Sequence, residues 1–297
     1  MKNDPGRRTF IANALKASAA ATLLNIPGFA MALQQKKYTI KEVMDIILKE
    51  VPGAPFKTTV DTLKSGDEQQ TVTGIVTTMF ATVQVIEQAA KLKANFIIAH
   101  EPTFYNHLDD VNYVANNRVV QQKQALLKKY NITVWRFHDY WHSVEPDGIG
   151  YGVLKKAGWV QYYKPGQRIL QMPPITLEKL VAHLEQTLAI KHVRVIGDLS
   201  QTCARIALLP GAAGGQTQIA IVEKEQPDVL IVGEVHEWET AEYIRDARQM
   251  GGKTALIVLG HSVSEEPGMD WLVDWLKPKI PGVPVTHIVS GDPFTWM

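Results

Sequence analysis

Six of the chain's nine histidines, at positions 100, 107, 138, 142, 236 and 261, lie in or near four short polar segments that also carry carboxylates. The segments read His100-Glu101-Pro102, His138-Asp139-Tyr140-Trp141-His142, Gly233-Glu234-Val235-His236-Glu237 and Gly260-His261-Ser262-Val263-Ser264-Glu265. Imidazole and carboxylate together make a donor set for a divalent ion such as zinc, manganese, iron or nickel. Thiolate does not compete, because Cys203 is the single cysteine. That count also excludes an intramolecular disulfide and a multi-thiolate zinc site. One or two such ions would lower the pKa of a bound water and polarise a carbonyl, imine or phosphoryl group, which is hydrolytic chemistry. His138 and Glu234 are the candidate proton-transfer groups for it.

Spacing adds to composition. His261 and Glu265 stand four residues apart where a strand is expected to turn into a helix; with the helix beginning near Ser264, both side chains can reach one ion. His138 and His142 have the same spacing, among Trp135, Phe137, Tyr140 and Trp141, which would give them aromatic, partly dry walls. Each feature also has an ordinary structural reading. A lone histidine after a strand can be a cap or a hydrogen-bonded surface group. Glu234 and Glu237 can complement a helix dipole, and His107 beside Asp109 and Asp110 reads as loop and helix start. Pro210-Gly211-Ala212-Ala213-Gly214-Gly215 lacks the lysine and hydroxyl residue of a P-loop and does not read GxGxxG, so it is a tight strand-to-helix turn rather than an anion cradle. Cys203, in the apolar run CARIALL, reads as a buried structural thiol. What favours a metal site is the conjunction of four segments at the same kind of place.

That place is the end of an apolar run. Phe96–Ala99, Ile132–Phe137, Val229–Val232 and Ala255–Leu259 immediately precede the four segments. In open α/β sheets, ligand groups lie beyond the carboxyl ends of the strands. Further strands are expected at Val72–Met79, Val193–Gly197, Ala204–Leu209 and Val285–Val289, with a strand pair at Trp159–Tyr163 and Arg168–Met172. Helical periodicity marks Val83–Lys93, Val111–Lys129, Leu177–Leu188, Thr240–Gln249 and a segment through Trp271–Leu276; Thr39-Ile40-Lys41-Glu42 is a capping box that opens another, stopped at Pro52-Gly53. Alternating elements with continuously apolar strands predict an α/β fold with mixed, largely parallel sheets.

The 297 residues suit two domains: 33–150 with about 251–297, and about 151–250. Lys plus Arg is 31 against 30 Asp plus Glu, a net charge of +1, so no basic excess points to nucleic acid. Arg7-Arg8 precedes an alanine-rich apolar stretch ending in Ala30-Met31-Ala32. This resembles a twin-arginine export signal over residues 1–32, cleaved near Ala32, and predicts a periplasmic protein without a stable membrane anchor. An amphipathic surface helix is the other reading of that stretch.

The segments VTGIVTTMFATVQVIEQAAKLKANFIIAHEPTFY, RFHDYWH, RIALLPGAAGGQ, DVLIVGEVHEWETAEYIRDA, LGHSVSEEPG and GDPF, in this order from about residue 38 onward, resemble the Nif-three-like dinuclear-metal family, also known as GTP cyclohydrolase I type 2-like. The resemblance implies two α/β domains, a toroidal homohexamer and two divalent ions per subunit facing its interior. It places the metal ligands at His100, Glu101, His142, His261 and Glu265, with His138 as a sixth ligand or a proton-transfer group and Glu234 behind them. Two positions depart from the family pattern. Glu101 stands where a second histidine is usual, and His142 stands where an aspartate usually bridges the ions, so bridging would pass to Glu101 or Glu265. The implied function is a metal-dependent hydrolase whose substrate the fold does not fix. The alternative is a non-enzymatic metal-binding oligomer for storage, delivery or scaffolding.

Overall fold

Short apolar runs become the central strands because both of their faces are covered. In the computed structural model, β1 is Leu63–Ser65, β2 Ile75–Thr78, β3 Phe96–Ala99, β4 Thr133–Arg136 and β10 Val285–His287, and every residue of β2, β3 and β4 is buried. These strands form one sheet in the order β1-β4-β3-β2-β10, parallel except for β1. Side chains alternate across it. Ile75, Phe96, Ile98 and Trp135 face a core shared with helices α1 (Ile40–Leu48), α4 (Asp139–Ser143), α5 (Gly148–Ala157) and α9 (His261–Leu276). Val76, Ile97 and Val134 face α2 (Val83–Lys91) and α3 (Arg118–Lys129). The capping box of Thr39 and Glu42 opens α1 as expected.

The second sheet is built from β5 (Ile169–Thr176), β6 (Arg194–Ile196), β7 (Thr202–Leu209), β8 (Val229–Val232) and β9 (Ala255–Val258), in the order β5-β7-β8-β9-β6. Its three inner strands are parallel and both edges antiparallel. Helix α6 (Leu177–Leu188) covers the face that holds the buried Cys203, and α7 (Gly215–Glu225) with α8 (Glu242–Gln249) covers the other. Both sheets are thus the mixed, largely parallel kind that the apolar runs predict. They lie within one compact unit, Tyr38–Met297. Residues 36–295 and 297 are described; the expected export signal at 1–32 lies outside the described residues. No helix among the described residues is long and apolar enough to cross a membrane.

Local differences have identifiable causes. Trp159–Tyr163 is not a strand but a single 3₁₀ turn, Val160–Tyr162, because the partner of β5 is β7. The expected helix over 111–129 is interrupted: a 3₁₀ turn covers Asn112–Val114, and α3 starts at Arg118 once the Asn117 side chain caps it. β9 belongs to the second sheet, although the sequence assigns residues from about 251 to the first domain; the chain returns to the first sheet through α9 and β10. α9 starts at His261 rather than Ser264. It is pressed against α5 through Gly152 and Gly268, where a Cβ on Gly268 would lie 2.6 Å from the Ile149 Cα. This glycine contact brings the start of a second-sheet connection over the strand ends of the first sheet.

Candidate metal centre

The carboxyl ends of β3 and β4 and the first turn of α9 converge on six side chains. His100 and Glu101 follow β3, His138 follows β4, His142 lies in α4, and His261 and Glu265 occupy one face of α9. His100 is fully buried, with Glu101 and Glu265 nearly so. The His100 ring stacks on that of His138 with centroids 4.7 Å apart, and His142 meets them edge-on at 5.0 and 4.9 Å.

All four imidazoles are oriented in the same way. Nδ1 of His100 lies 3.1 Å from the Phe137 carbonyl, that of His138 2.9 Å from Asp139 Oδ1, and that of His142 2.9 Å from Asp147 Oδ2. Nδ1 of His261 lies 3.3 Å from Glu234 Oε2. These acceptors assign Nδ1–H to each ring and leave Nε2 with its lone pair facing the cluster, which is how ligating histidines are held. The two glutamates lie between these nitrogens. Glu265 Oε2 is 3.7 Å from His100 Nε2 and 3.2 Å from His261 Nε2; Glu101 Oε1 is 3.7 Å from His138 Nε2 and 3.4 Å from His261 Nε2. Donors about 2.1 Å from a tetrahedral ion stand about 3.4 Å apart, so these separations match a shared ligand shell.

Electrostatics point the same way. His100 Nε2 and Glu265 Oε2 are buried without a hydrogen-bond partner. Both are acceptors, and two acceptors facing each other in a dry site need a cation. Burial, then the neighbouring His142 and His138, hold His100 well below the usual histidine pKa, so it stays a neutral donor. Burial opposes charge on His261, but Glu101, Glu234 and Glu265 around it push its pKa up to about 12. Burial likewise opposes a charged His142, yet Asp147, Glu265 and Glu101 raise it. Glu101 is lowered against its own burial by His261, His138 and Arg136. The carboxylates favour positive charge at this cluster, which makes it a candidate cation site. Two overlapping groups, His100/His138/His142 and His100/Glu101/Glu265, bring their donor atoms within 4.8 Å of one another. The residues present therefore fit divalent metal.

With that geometry in hand, likeness to known proteins is informative. The Duf34/NIF3 (NGG1p interacting factor 3) profile matches residues 38–293. The chain belongs to the Duf34/NIF3 family. A GTP cyclohydrolase 1 type 2 homolog of Clostridium perfringens is 23% identical over 248 residues, covering 79% of this chain and 90% of that protein. The crystal structure of a Bacillus cereus protein related to NIF3 has a TM-score of 0.70 at 16% identity, covering 88% of this chain and all of that one. That of a hypothetical protein of Staphylococcus aureus gives 0.69 at 19%, again covering 88% of this chain and 100% of the other. At these identities the structures establish the fold.

In this Duf34/NIF3 member, five residues named as ligands from the sequence, His100, Glu101, His142, His261 and Glu265, come together, and His138 joins them. Glu234 stays outside the cluster, half-exposed behind His261. His107 lies beside the cluster, its ring 5.9 Å from that of His138. His236 does not reach it; the ring is exposed and stacks on Trp238, while Glu237 pairs with Arg194. The Pro210 turn is a wall rather than an anion cradle. Gly211, with φ +69°, packs against Glu265 so closely that a Cβ there would collide with the carboxylate. Sequence reasoning missed the residues behind the cluster. Asp139 and Asp147 were visible as carboxylates one and five positions after a histidine. Asp61 carried no local signal: it accepts the backbone N–H groups of His138, Asp139 and Tyr140 from some 77 residues away, which fixes the first turn of α4.

Above the six residues opens a cavity of about 1240 Å³, walled by Phe80, Val83, Tyr105, Pro210 and Pro293, with Lys123 at its side. Apolar walls over a polar floor suit a small organic ligand.

Proposed function

We propose that this Duf34/NIF3 protein is an exported hydrolase that holds two divalent ions per subunit. The carrying observation is the set of four oriented Nε2 atoms around two buried glutamates. In this reading His100, His138, His142 and His261 would hold the ions together with Glu101 and Glu265. A bound ion pair supplies Lewis acidity, lowering the pKa of water and polarising an oxygen of the substrate.

The chain's own residues divide the remaining work. Asp139, Asp147, Glu234 and the Phe137 carbonyl lock the four rings in place. Phe80, Val83 and Tyr105 offer apolar surface for the substrate body. His138, with both nitrogens engaged, acts as a ligand, which leaves Glu234 as the proton-transfer group. The hydrogen bond from His261 lowers the Glu234 pKa against partial burial, which keeps the carboxylate charged and ties it to the ring while making it a weaker base than a free carboxylate. Glu234 also lines a neighbouring recess of about 670 Å³ that shares Phe80 and His261 with the main cavity, which gives the proton a route to solvent.

Export is supported by Arg7-Arg8 and Ala30-Met31-Ala32 in the sequence. The mature N-terminus would then lie near Leu33, which mass spectrometry of protein from its native envelope tests. The toroidal hexamer implied by the family resemblance is supported by exposed Tyr105, Leu108, Tyr113 and Trp238, apolar surface that assembly would cover. Light scattering should give a mass near six subunits, and a monomer at micromolar concentration contradicts it. For activity, the metal-loaded chain is assayed on a panel of nucleotides, esters and phosphoesters. Turnover that disappears on chelation supports the hydrolase. Bound metal without turnover on any of them supports storage or delivery instead.

A further inference from the structure

Arg136 closes β4 and is fully buried. A buried guanidinium is costly to desolvate unless its donors and charge are met. Here Nε donates to the His100 carbonyl at 3.1 Å, and Nη1 donates to the His107 carbonyl. Nη2 lies 3.5 Å from Glu101 Oε2, and Nη1 lies 3.8 Å from Asp109 Oδ2. Lys64, itself buried, stands 3.5 Å from the same Asp109 oxygen. The result is a dry quartet of two cations and two carboxylates, and one of those carboxylates is Glu101.

The two oxygens of Glu101 therefore face different partners. Oε2 faces the guanidinium, while Oε1 faces His138 at 3.7 Å and His261 at 3.4 Å. A carboxylate free to rotate would offer either oxygen to a cation in several geometries. One whose far oxygen is held offers a single oxygen in a single place. The same guanidinium fixes the backbone of His100, so it supports both ligands that follow β3. Arg136 touches none of the Nε2 atoms and does not reach the floor of the cavity as a wall residue. Its effect must pass through Glu101 and the His100 backbone.

We propose that Arg136 is a positioning residue for metal: it holds Oε2 of Glu101 and offsets its charge so that Oε1 is presented between His138 and His261. This rests on the metal reading above. Residues behind metal ligands typically contribute about 10–100-fold in metal affinity.

The test is a double-mutant cycle on the chelator-stripped full chain, titrated with Zn²⁺ and followed by calorimetry. Arg136→Met is expected to weaken Zn²⁺ binding at least about tenfold, and Arg136→Lys, which keeps the charge but not the planar fork, by less. In a Glu101→Gln background, replacing Arg136 is expected to cost clearly less than in the wild type, because only the part that passes through the His100 backbone remains. Equal losses in both backgrounds would show that Arg136 acts only through the fold and overturn the assignment, as would an unchanged affinity in Arg136→Met. If circular dichroism shows that Arg136→Met does not fold, the cycle is run with Arg136→Lys and read by the same rule. Wild-type protein that takes up no Zn²⁺ removes the metal reading itself, and this assignment with it; wild-type uptake with no coupling removes the assignment alone.

Discussion

The two sides of the cluster are built differently. On the side of the first sheet, His100, His138 and His142 come from two adjacent strand ends and one short helix, and their rings contact one another. On the side of α9, His261 sits among Glu101, Glu234 and Glu265. One side offers imidazole nitrogens held from behind by the Phe137 carbonyl, Asp139 and Asp147; the other offers negative charge directly. Neutral donors bind through orientation, so that side depends on whatever holds the rings. Charged donors bind through charge balance, so the α9 side depends on which carboxylates are present.

The largest effect is expected on the α9 side. Replacing both His261 and Glu265 by alanine should abolish stoichiometric metal, because it removes one complete imidazole and a carboxylate that lies between the two sides. Elemental analysis of the purified variant measures this, with His183→Ala as control. His183 Nε2 meets the Ala157 carbonyl, far in the chain from the cluster, and its loss should leave metal unchanged. Unaltered metal in the double variant, or equal loss in the control, breaks the comparison.

A smaller effect belongs to the histidine side. Asp147 holds His142 through one oxygen and caps α5 through the other. Asp147→Asn keeps a capping acceptor but removes the charge behind the ring, and should weaken metal binding by about tenfold with little change in stability. Titration calorimetry and thermal melts separate the two quantities. A stability loss with unchanged affinity would make Asp147 a cap alone.

Glu101→His sharpens the contrast, because it exchanges a charged donor for a neutral one without removing a donor. Metal should be retained with altered preference between Zn²⁺ and Mn²⁺, read by competition binding, since harder ions lean more on carboxylate oxygen. Complete loss would mean that Glu101 bridges the ions and that no nitrogen can take its place.

The smallest effect on metal, none, is expected at Lys123, which lines the cavity but belongs to neither side. Burial lowers its pKa to about 8, with Asp109 opposing. Below pH 8 the ammonium is charged in both folded and unfolded chains, and the burial cost is fully present. From pH 8 to about 10.4 the unfolded chain still holds the proton that the native chain has lost, so stability rises with pH across that window. The stability of the wild type relative to Lys123→Met should therefore rise by roughly 3 kcal/mol between pH 7 and pH 10.5. Urea unfolding of both proteins at the two pH values checks the sign; a stability difference independent of pH contradicts it.

How much of this was legible in the sequence follows from where each signal resides. Apolar runs such as Phe96–Ala99 and Val229–Val232 are local, so the parallel strands and the polar residues at their ends could be read directly. Residue type at those ends marked a candidate metal site, and the family resemblance singled out His100, Glu101, His142, His261 and Glu265 within it. What could not be read was tertiary. Arg136 is indistinguishable in sequence from a strand-end surface arginine, and Asp61 from an ordinary loop carboxylate. That β9, after the expected boundary near 251, joins the second sheet could not be read either, because an apolar strand does not reveal which of two sheets it enters. Trp159–Tyr163 is apolar enough for a strand but finds no strand partner there.

Whether four Nε2 atoms and two glutamates hold metal is tested most directly by anomalous scattering. The full chain, purified without chelator, is crystallised and measured on both sides of the absorption edges of zinc, manganese, iron and nickel. The account predicts two anomalous peaks within coordination distance of His100, His138, His142 and His261, with Glu101 and Glu265 between them. Protein that has been offered these ions and still shows no anomalous density at the six residues would contradict it.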